Sequence, residues 1–105
     1  MLELNYEIKT ENFRFYLNKN KLNKKYLKKF KEVVIKGLTR EEPLEIKIPT
    51  SDKGFVEVTL VVSKKEVLLK HNASNIIKNT VNFDTSDLLK FYEIITNSKI
   101  PIDIS

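Results

Sequence analysis

Few side chains in this sequence are placed to do chemistry. His71 is the single histidine and there is no cysteine, so a Ser-His-Asp arrangement would have to be built on His71, and no Gly-x-Ser-x-Gly turn accompanies it. No H-x-x-x-H or EF-hand spacing occurs, although a metal site would need such ligands. The two glycines, Gly37 and Gly54, lie too far apart to form a phosphate-binding loop. We therefore expect no enzymatic activity, no metal and no cofactor.

One pair of side chains has the spacing found in some nuclease sites. Glu45 and Lys47 are two residues apart on a predicted strand, where such a pair can hold a metal ion and orient water. These sites need a further acid, and Glu41 and Glu42 lie in a predicted loop instead. Alternation on an exposed strand gives the same pattern when charges pair across strands. We interpret Glu45 and Lys47 as part of such charge pairing.

The stronger feature is a concentration of lysines. Residues 19–36, the basic segment, contain eight of the chain's nineteen basic residues and one acid, Glu32, and carry +7. The remaining 87 of the 105 residues carry eleven basic and thirteen acidic side chains, or −2. Lysine outnumbers arginine seventeen to two, as AT-rich coding sequences tend to produce. That bias does not explain why the lysines gather in one segment.

The basic segment has the period of an amphipathic helix over about residues 22–36. At about 100° per residue, an apolar face centred on Phe30 is separated from a lysine face by about 100° or more. Gly37 is predicted to end the helix in a left-handed conformation. Ile35 is an exception because it projects among the lysines. The apolar face comprises Leu22, Tyr26, Leu27, Phe30, Val33, Val34 and Leu38, and the lysine face comprises Lys24, Lys25, Lys28, Lys29, Lys31 and Lys36.

The rest of the chain is mainly β. Alternating and β-prone residues predict an opening hairpin and then an antiparallel meander of four strands. A second helix is predicted after a cap at Asp84, Thr85 or Ser86, and alternating isoleucines predict a last edge strand. The predicted strands are residues 2–8, 12–17, 44–49, 55–62, 66–71, 75–83 and 100–104. We therefore predict one α+β domain over residues 1–105, a single antiparallel sheet with two helices on one face, in the order ββαββββαβ.

A helix face of ammonium groups predicts a small basic module that binds nucleic acid. Lysines along a helix neutralise successive phosphates, which gives salt-dependent binding with weak sequence specificity. Two arginines are too few for much guanine readout, so single-stranded DNA or RNA is expected rather than a specific duplex. Arg14 and Tyr16 share one face of the second strand and would offer a stacking surface. The predicted contact residues are Lys21, Lys24, Lys25, Lys28, Lys31, Lys36, Arg14 and Tyr16.

The alternative is a small protein-binding or inhibitor protein, of the sort that phages and mobile elements encode. It would dock the basic helix, including Ile35, or the last edge strand on an acidic partner, or pair with a second copy as a homodimer. The sequence shows no secretory signal and no apolar stretch long enough for a membrane span. We therefore expect a cytoplasmic protein without a membrane partner.

Overall fold

The computed structural model describes residues 2–8, 11–50, 56–73 and 77–101. In these ranges the chain forms six strands, two α-helices and one 3₁₀ turn. The α+β class is confirmed, and the predicted order of elements is confirmed as far as the second helix. The elements are β1 (Leu2–Ile8), β2 (Glu11–Leu17), the 3₁₀ turn (Lys19–Lys21), α1 (Lys24–Gly37), β3 (Leu44–Ile48), β4 (Val56–Val62), β5 (Val67–Ala73), β6 (Ile77–Phe83) and α2 (Thr85–Thr96).

The predicted meander is the central sheet, in which β3, β4, β5 and β6 pair antiparallel in sequence order. Its register aligns Ile46 with Leu60 and Leu60 with Leu69, and all three side chains are buried. Because side chains alternate along a strand, this register gives the sheet one apolar face. The opposite face exposes Glu45 and Lys47.

The opening hairpin is also confirmed and forms its own two-stranded ladder. Leu2 lies opposite Leu17 in it, and the strands are antiparallel. Leu17 also forms an isolated bridge with Thr50, and the backbone N–H of Asn18 donates to the carbonyl of Pro49 at 2.8 Å. The end of β2 is therefore joined to the end of β3, immediately before the basic segment begins.

Both helices lie on the apolar face of the sheet. α1 contacts β3 and β4, and α2 contacts β6. The helices meet at Phe30 and Tyr92, whose ring centroids are 5.8 Å apart, while Phe83 of β6 meets Phe91 edge to face at 5.4 Å. These aromatic contacts join the two helices and the sheet in one core.

The predicted left-handed stop at Gly37 is wrong. Gly37 is the last residue of α1, and the C-cap residue Leu38 is right-handed, with φ −65° and ψ −14°. A Cβ atom on Gly37 would lie 2.7 Å from the Cβ atom of Val62 and 2.8 Å from the Val62 carbonyl oxygen. Glycine is therefore needed there because α1 approaches the backbone of β4 closely, and not because the chain turns.

The predicted cap of α2 is confirmed, and it is the first of the three candidates. Asp84 is the N-cap, and its carboxylate accepts the N–H of Asp87 at 2.9 Å, while Asp87 accepts the N–H of Asp84 at 3.3 Å. Asn97 ends the helix in a left-handed conformation, with φ 56°. Of the predicted last strand, residues 102–104 lie outside the described residues, and Ile100 is buried in the core but is not in a strand.

Candidate functional site

α1 presents a lysine face to solvent. The helix begins at Asn23, whose side chain accepts the N–H of Tyr26 at 2.8 Å, and Phe30 and Val34 are fully buried beneath it. The predicted apolar face is therefore confirmed. Among the eight lysines of the basic segment, Lys31 is half-buried and the other seven are exposed: Lys19, Lys21, Lys24, Lys25, Lys28, Lys29 and Lys36.

Helical geometry, at about 100° per residue, divides the lysines of α1 into two rows. Tyr26 marks the side of the helix that faces β3, because its hydroxyl donates to the carbonyl of Lys47. We call the lysines on that side the β3 row and the others the outer row. Lys29 belongs to the β3 row although it is not among the predicted contact residues. The β3 row is Lys25, Lys29 and Lys36, and the outer row is Lys24, Lys28 and Lys31.

None of the lysines in the basic segment forms an ion pair within the part of the chain that the structure describes. Other cations do pair: Arg40 lies 2.9 Å from Glu42, Lys65 lies 3.4 Å from Glu41, and Lys70 lies 3.8 Å from Glu45. Lysines four residues apart on a helix repel each other by about 0.2–0.5 kcal/mol per pair. Glu32, four residues from both Lys28 and Lys36, offsets part of this repulsion, and the lysine face surrounds α1 with a positive potential.

The start of α1 combines two sources of positive charge. Its first turn carries Lys24 and Lys25 and no acid. The free N–H groups at a helix N-terminus add a partial positive charge there. The side chains and the helix dipole therefore act in the same direction, which attracts anions and disfavours the helix.

Tyr26 fixes the position of the lysine face on the sheet. Its hydroxyl donates to the Lys47 carbonyl at 2.6 Å, and its ring stacks on Phe30 with centroids 6.2 Å apart. Burial raises the pKa of Tyr26 well above its ordinary range. Its hydroxyl therefore stays protonated, and remains a donor, throughout the physiological pH range.

A groove of about 350 Å³ opens where the 3₁₀ turn and α1 meet the end of β3. Lys21, Lys47 and Glu57 are exposed around it, and they come from three separate elements. Sequence alternation shows only that Lys47 and Glu57 lie on exposed strand positions. The described residues that line the groove are Lys21, Tyr26, Lys47, Ile48, Pro49, Thr50, Glu57 and Val58.

The remaining predicted contact residues occupy different surroundings. Ile35 lies on the outer-row side of α1 and is half-buried. Ile94 of α2, at 39% exposure, is the large hydrophobic residue left most open among those described. Arg14 and Tyr16 lie on β2, opposite Asn5 and Glu3 respectively. The structure therefore places five of the predicted lysines on α1, Lys21 in the 3₁₀ turn before it, and Arg14 and Tyr16 on the hairpin that precedes both.

The residues considered for catalysis do not form a recognisable centre. Glu45 lies 3.8 Å from Lys70, two strands away, which agrees with the interpretation of Glu45 as a cross-strand charge partner. His71 is half-buried on β5, where it pairs with Val58 and Asn79. Within the described ranges, no group of three or more histidine or acidic side chains could hold a metal ion.

The chain matches no protein-family model, and no curated protein and no solved structure is significantly similar to it. None of the helices in the described ranges is both long and apolar enough to cross a membrane. The function therefore has to be inferred from the surfaces of the molecule itself.

Proposed function

We propose that the protein is a non-enzymatic nucleic-acid-binding module that contacts phosphates through the lysines of the basic segment. The observation that supports this most is the absence of ion pairs on the lysine face within the described part of the chain, whereas Arg40, Lys65 and Lys70 each have a carboxylate partner. Like charges held together cost stability. A polyanion offsets that cost when it binds, and the release of its counterions drives the association.

The dimensions of α1 fit a phosphate backbone. From Lys24 to Lys36 the helix extends about 18 Å, at about 1.5 Å per residue. A strand of duplex DNA carries one phosphate per roughly 3.4 Å of axis, so the face spans about five phosphates. Lysine acts as a point charge without the fork geometry of arginine, so binding should depend weakly on sequence. Arg14 and Tyr16 are proposed stacking partners, and a cytoplasmic location is part of the same proposal.

Replacing exposed lysines in two matched places tests the proposal. The test variant carries Lys24→Gln, Lys25→Gln, Lys28→Gln and Lys29→Gln, and the control variant carries Lys64→Gln, Lys65→Gln, Lys90→Gln and Lys99→Gln. All eight lysines are exposed, both variants lose the same charge, and glutamine has a helix propensity close to that of lysine. Lys31 is kept because it is half-buried.

At roughly 50 mM salt, the test variant should bind labelled DNA at least about 100-fold more weakly than the wild-type protein. The control variant should remain within about threefold of wild type, because its lysines act only through long-range charge. Fluorescence anisotropy measures both affinities. Equal losses in the two variants would show that net charge, and not the lysine face, governs binding.

A second candidate function is binding to an acidic protein surface, as an inhibitor of the kind that phages or mobile elements encode would do. The observation that favours it is Ile35, which is half-buried beside the outer row of lysines. Its exposed part could contact a protein but adds nothing to a phosphate contact. Ile35→Ala should weaken binding to a protein partner and leave DNA affinity unchanged. A wild-type protein that binds neither DNA nor RNA at roughly 50 mM salt would favour this candidate.

A further inference from the structure

Resting on the proposed function, we propose that the groove between the 3₁₀ turn and the end of β3 is a subsite for one nucleotide of a single strand. In this assignment, Lys21 and Lys47 contact the phosphate of that nucleotide, and Glu57 contacts its base. The groove therefore favours single-stranded over duplex nucleic acid, a distinction that the lysine face alone does not make.

The size and walls of the groove suit a nucleotide. Its volume of about 350 Å³ falls at the lower end of the range for small-molecule sites. Pro49 and the ring of Tyr26, both half-buried, provide apolar surface, and polar side chains of Lys21, Lys47, Thr50 and Glu57 surround it. The Tyr26 ring is held in the wall, since its hydroxyl is bound to the Lys47 carbonyl. The groove therefore has a fixed apolar part against which a base can lie.

The charges at the groove continue the lysine face. Lys21 precedes α1 in the 3₁₀ turn and Lys47 lies on β3, and both are exposed. Neither forms an ion pair with Glu57 or with any other carboxylate of the described ranges. A strand that follows the β3 row along α1 would reach Lys21 first, and it would then have to pass the edge strand β3 to reach Lys47, whose side chain lies on the opposite face of the sheet. A base can enter the groove only when it is unpaired, so a duplex would contact the lysine face without occupying the groove.

Glu57 gives the subsite a preference among bases. A carboxylate accepts a hydrogen bond from the exocyclic amino group of cytosine, whereas thymine presents an oxygen at the equivalent position. The exposed carboxylate of Glu57 should therefore favour cytosine and disfavour thymine. One such contact gives a discrimination of roughly fivefold, at the low end of what base contacts provide.

The test uses the full chain with three fluorescent probes: oligo(dC) and oligo(dT) of about twelve nucleotides, and a duplex of similar length. Lys47→Gln should weaken oligo(dC) binding roughly eightfold at about 50 mM salt and reduce the salt slope by about 0.7, as expected for one lost phosphate contact on a single strand. Its affinity for the duplex should not change. Lys70→Gln is the matched control, because Lys70 is exposed on the same face of the sheet, two strands from Lys47.

Glu57→Gln should remove the preference for oligo(dC) over oligo(dT), because glutamine can donate as well as accept. If Lys47→Gln and Glu57→Gln leave both the single-strand affinity and this preference unchanged while the four-lysine test variant abolishes binding, the groove is not a subsite and the proposed function stands. If the wild-type protein binds none of the three probes, both proposals are wrong.

Discussion

The two helices pack side by side on the same sheet, yet their ends are constructed differently. α2 begins with a reciprocal capping box between Asp84 and Asp87, which places carboxylates at the positive end of the helix dipole, and it ends at the left-handed residue Asn97. α1 begins at Asn23 and has two lysines and no acid in its first turn. The charges in the first turn of α2 therefore stabilise its helix, whereas those in the first turn of α1 oppose its dipole and only Lys36, in the last turn, favours it.

Because of this difference, the contacts that stabilise α1 can be distinguished from the exposed lysines that are proposed to bind a ligand. A charge of the wrong sign at a helix end costs about 0.3–1 kcal/mol, and α1 also carries lysines four residues apart. Most of its stability must therefore come from its buried face and from Tyr26, with a smaller contribution from the Asn23 cap. Charges that oppose their own helix are expected where the need to bind a ligand, and not the need to fold, determines which residues are exposed. The predictions below test this separation.

The largest effect on stability should come from the buried face of α1. Phe30 is fully buried and contacts both Tyr26 and Tyr92, so Phe30→Ala should lower the free energy of unfolding by about 3–5 kcal/mol. Urea denaturation followed by circular dichroism measures the loss. A loss below about 1 kcal/mol would show that packing is not what holds α1.

The capping of the two helices should differ in strength. Asp84→Ala removes the N-cap acceptor of α2 and its favourable charge, and should cost about 1–2 kcal/mol. Asn23→Ala removes the N-cap of α1, which is neutral, and should cost about 0.5–1 kcal/mol. The same urea titrations give both values. Equal losses in the free energy of unfolding would show that the starts of α1 and α2 do not differ in how strongly they stabilise their helices.

Tyr26→Phe should lower stability by about 0.5–1.5 kcal/mol, because it removes one hydrogen bond to the Lys47 carbonyl. The same variant should change the response to alkali. Burial raises the pKa of Tyr26 in the folded protein above its ordinary value of 10.0, so the unfolded chain loses this proton first. The stability that the Tyr26 hydroxyl contributes is therefore fully present below about pH 10 and is lost as the pH rises above it.

Urea unfolding on either side of pH 10.0 separates this effect from the loss of lysine charge, which the wild type and the variant share. Tyr26→Phe should lose less stability than the wild type on going to the higher pH. Identical losses in the two proteins would show that the Tyr26 hydroxyl is not held in the folded state.

The smallest effect should be a gain in stability. The four-lysine test variant removes two repulsive pairs spaced four residues apart, Lys24 with Lys28 and Lys25 with Lys29, and one attractive pair, Lys28 with Glu32. Each pair contributes about 0.2–0.5 kcal/mol, so the repulsion removed exceeds the attraction lost, and the variant should unfold at a slightly higher urea concentration than the wild type at low salt. Added salt should reduce the gain. A loss of stability would mean that these lysines make favourable contacts in the folded protein.

Much of the fold could be predicted from the sequence because its periods are clear. Period-two alternation predicts the strands of the meander, and the sequence limits the cap of α2 to Asp84, Thr85 or Ser86, of which the structure shows Asp84. Gly37 was misinterpreted because a glycine after a helical run is compatible with either a turn or a close approach. The atoms that decide between them belong to Val62, on a strand later in the chain.

The candidate site also has one part that could be predicted from the sequence and one that could not. The lysine face could be predicted, since its residues lie on one helix with a regular period. The groove could not, because Lys21, Lys47 and Glu57 come from three elements that only the strand register and the packing of α1 bring together. Lys29 is on the predicted lysine face, but its place in the β3 row follows only from the contact of Tyr26 with β3.

The most direct test of the central claim is the salt dependence of binding by the wild-type protein. Labelled single-stranded DNA, duplex DNA and RNA are titrated by fluorescence anisotropy at roughly 50 and 200 mM salt. If the lysine face makes about four phosphate contacts, duplex affinity should fall roughly 150-fold across this range, with a log–log slope of about −3.6. No binding at the lower salt, or binding that does not change with salt, would contradict the claim that the lysines of α1 contact phosphates.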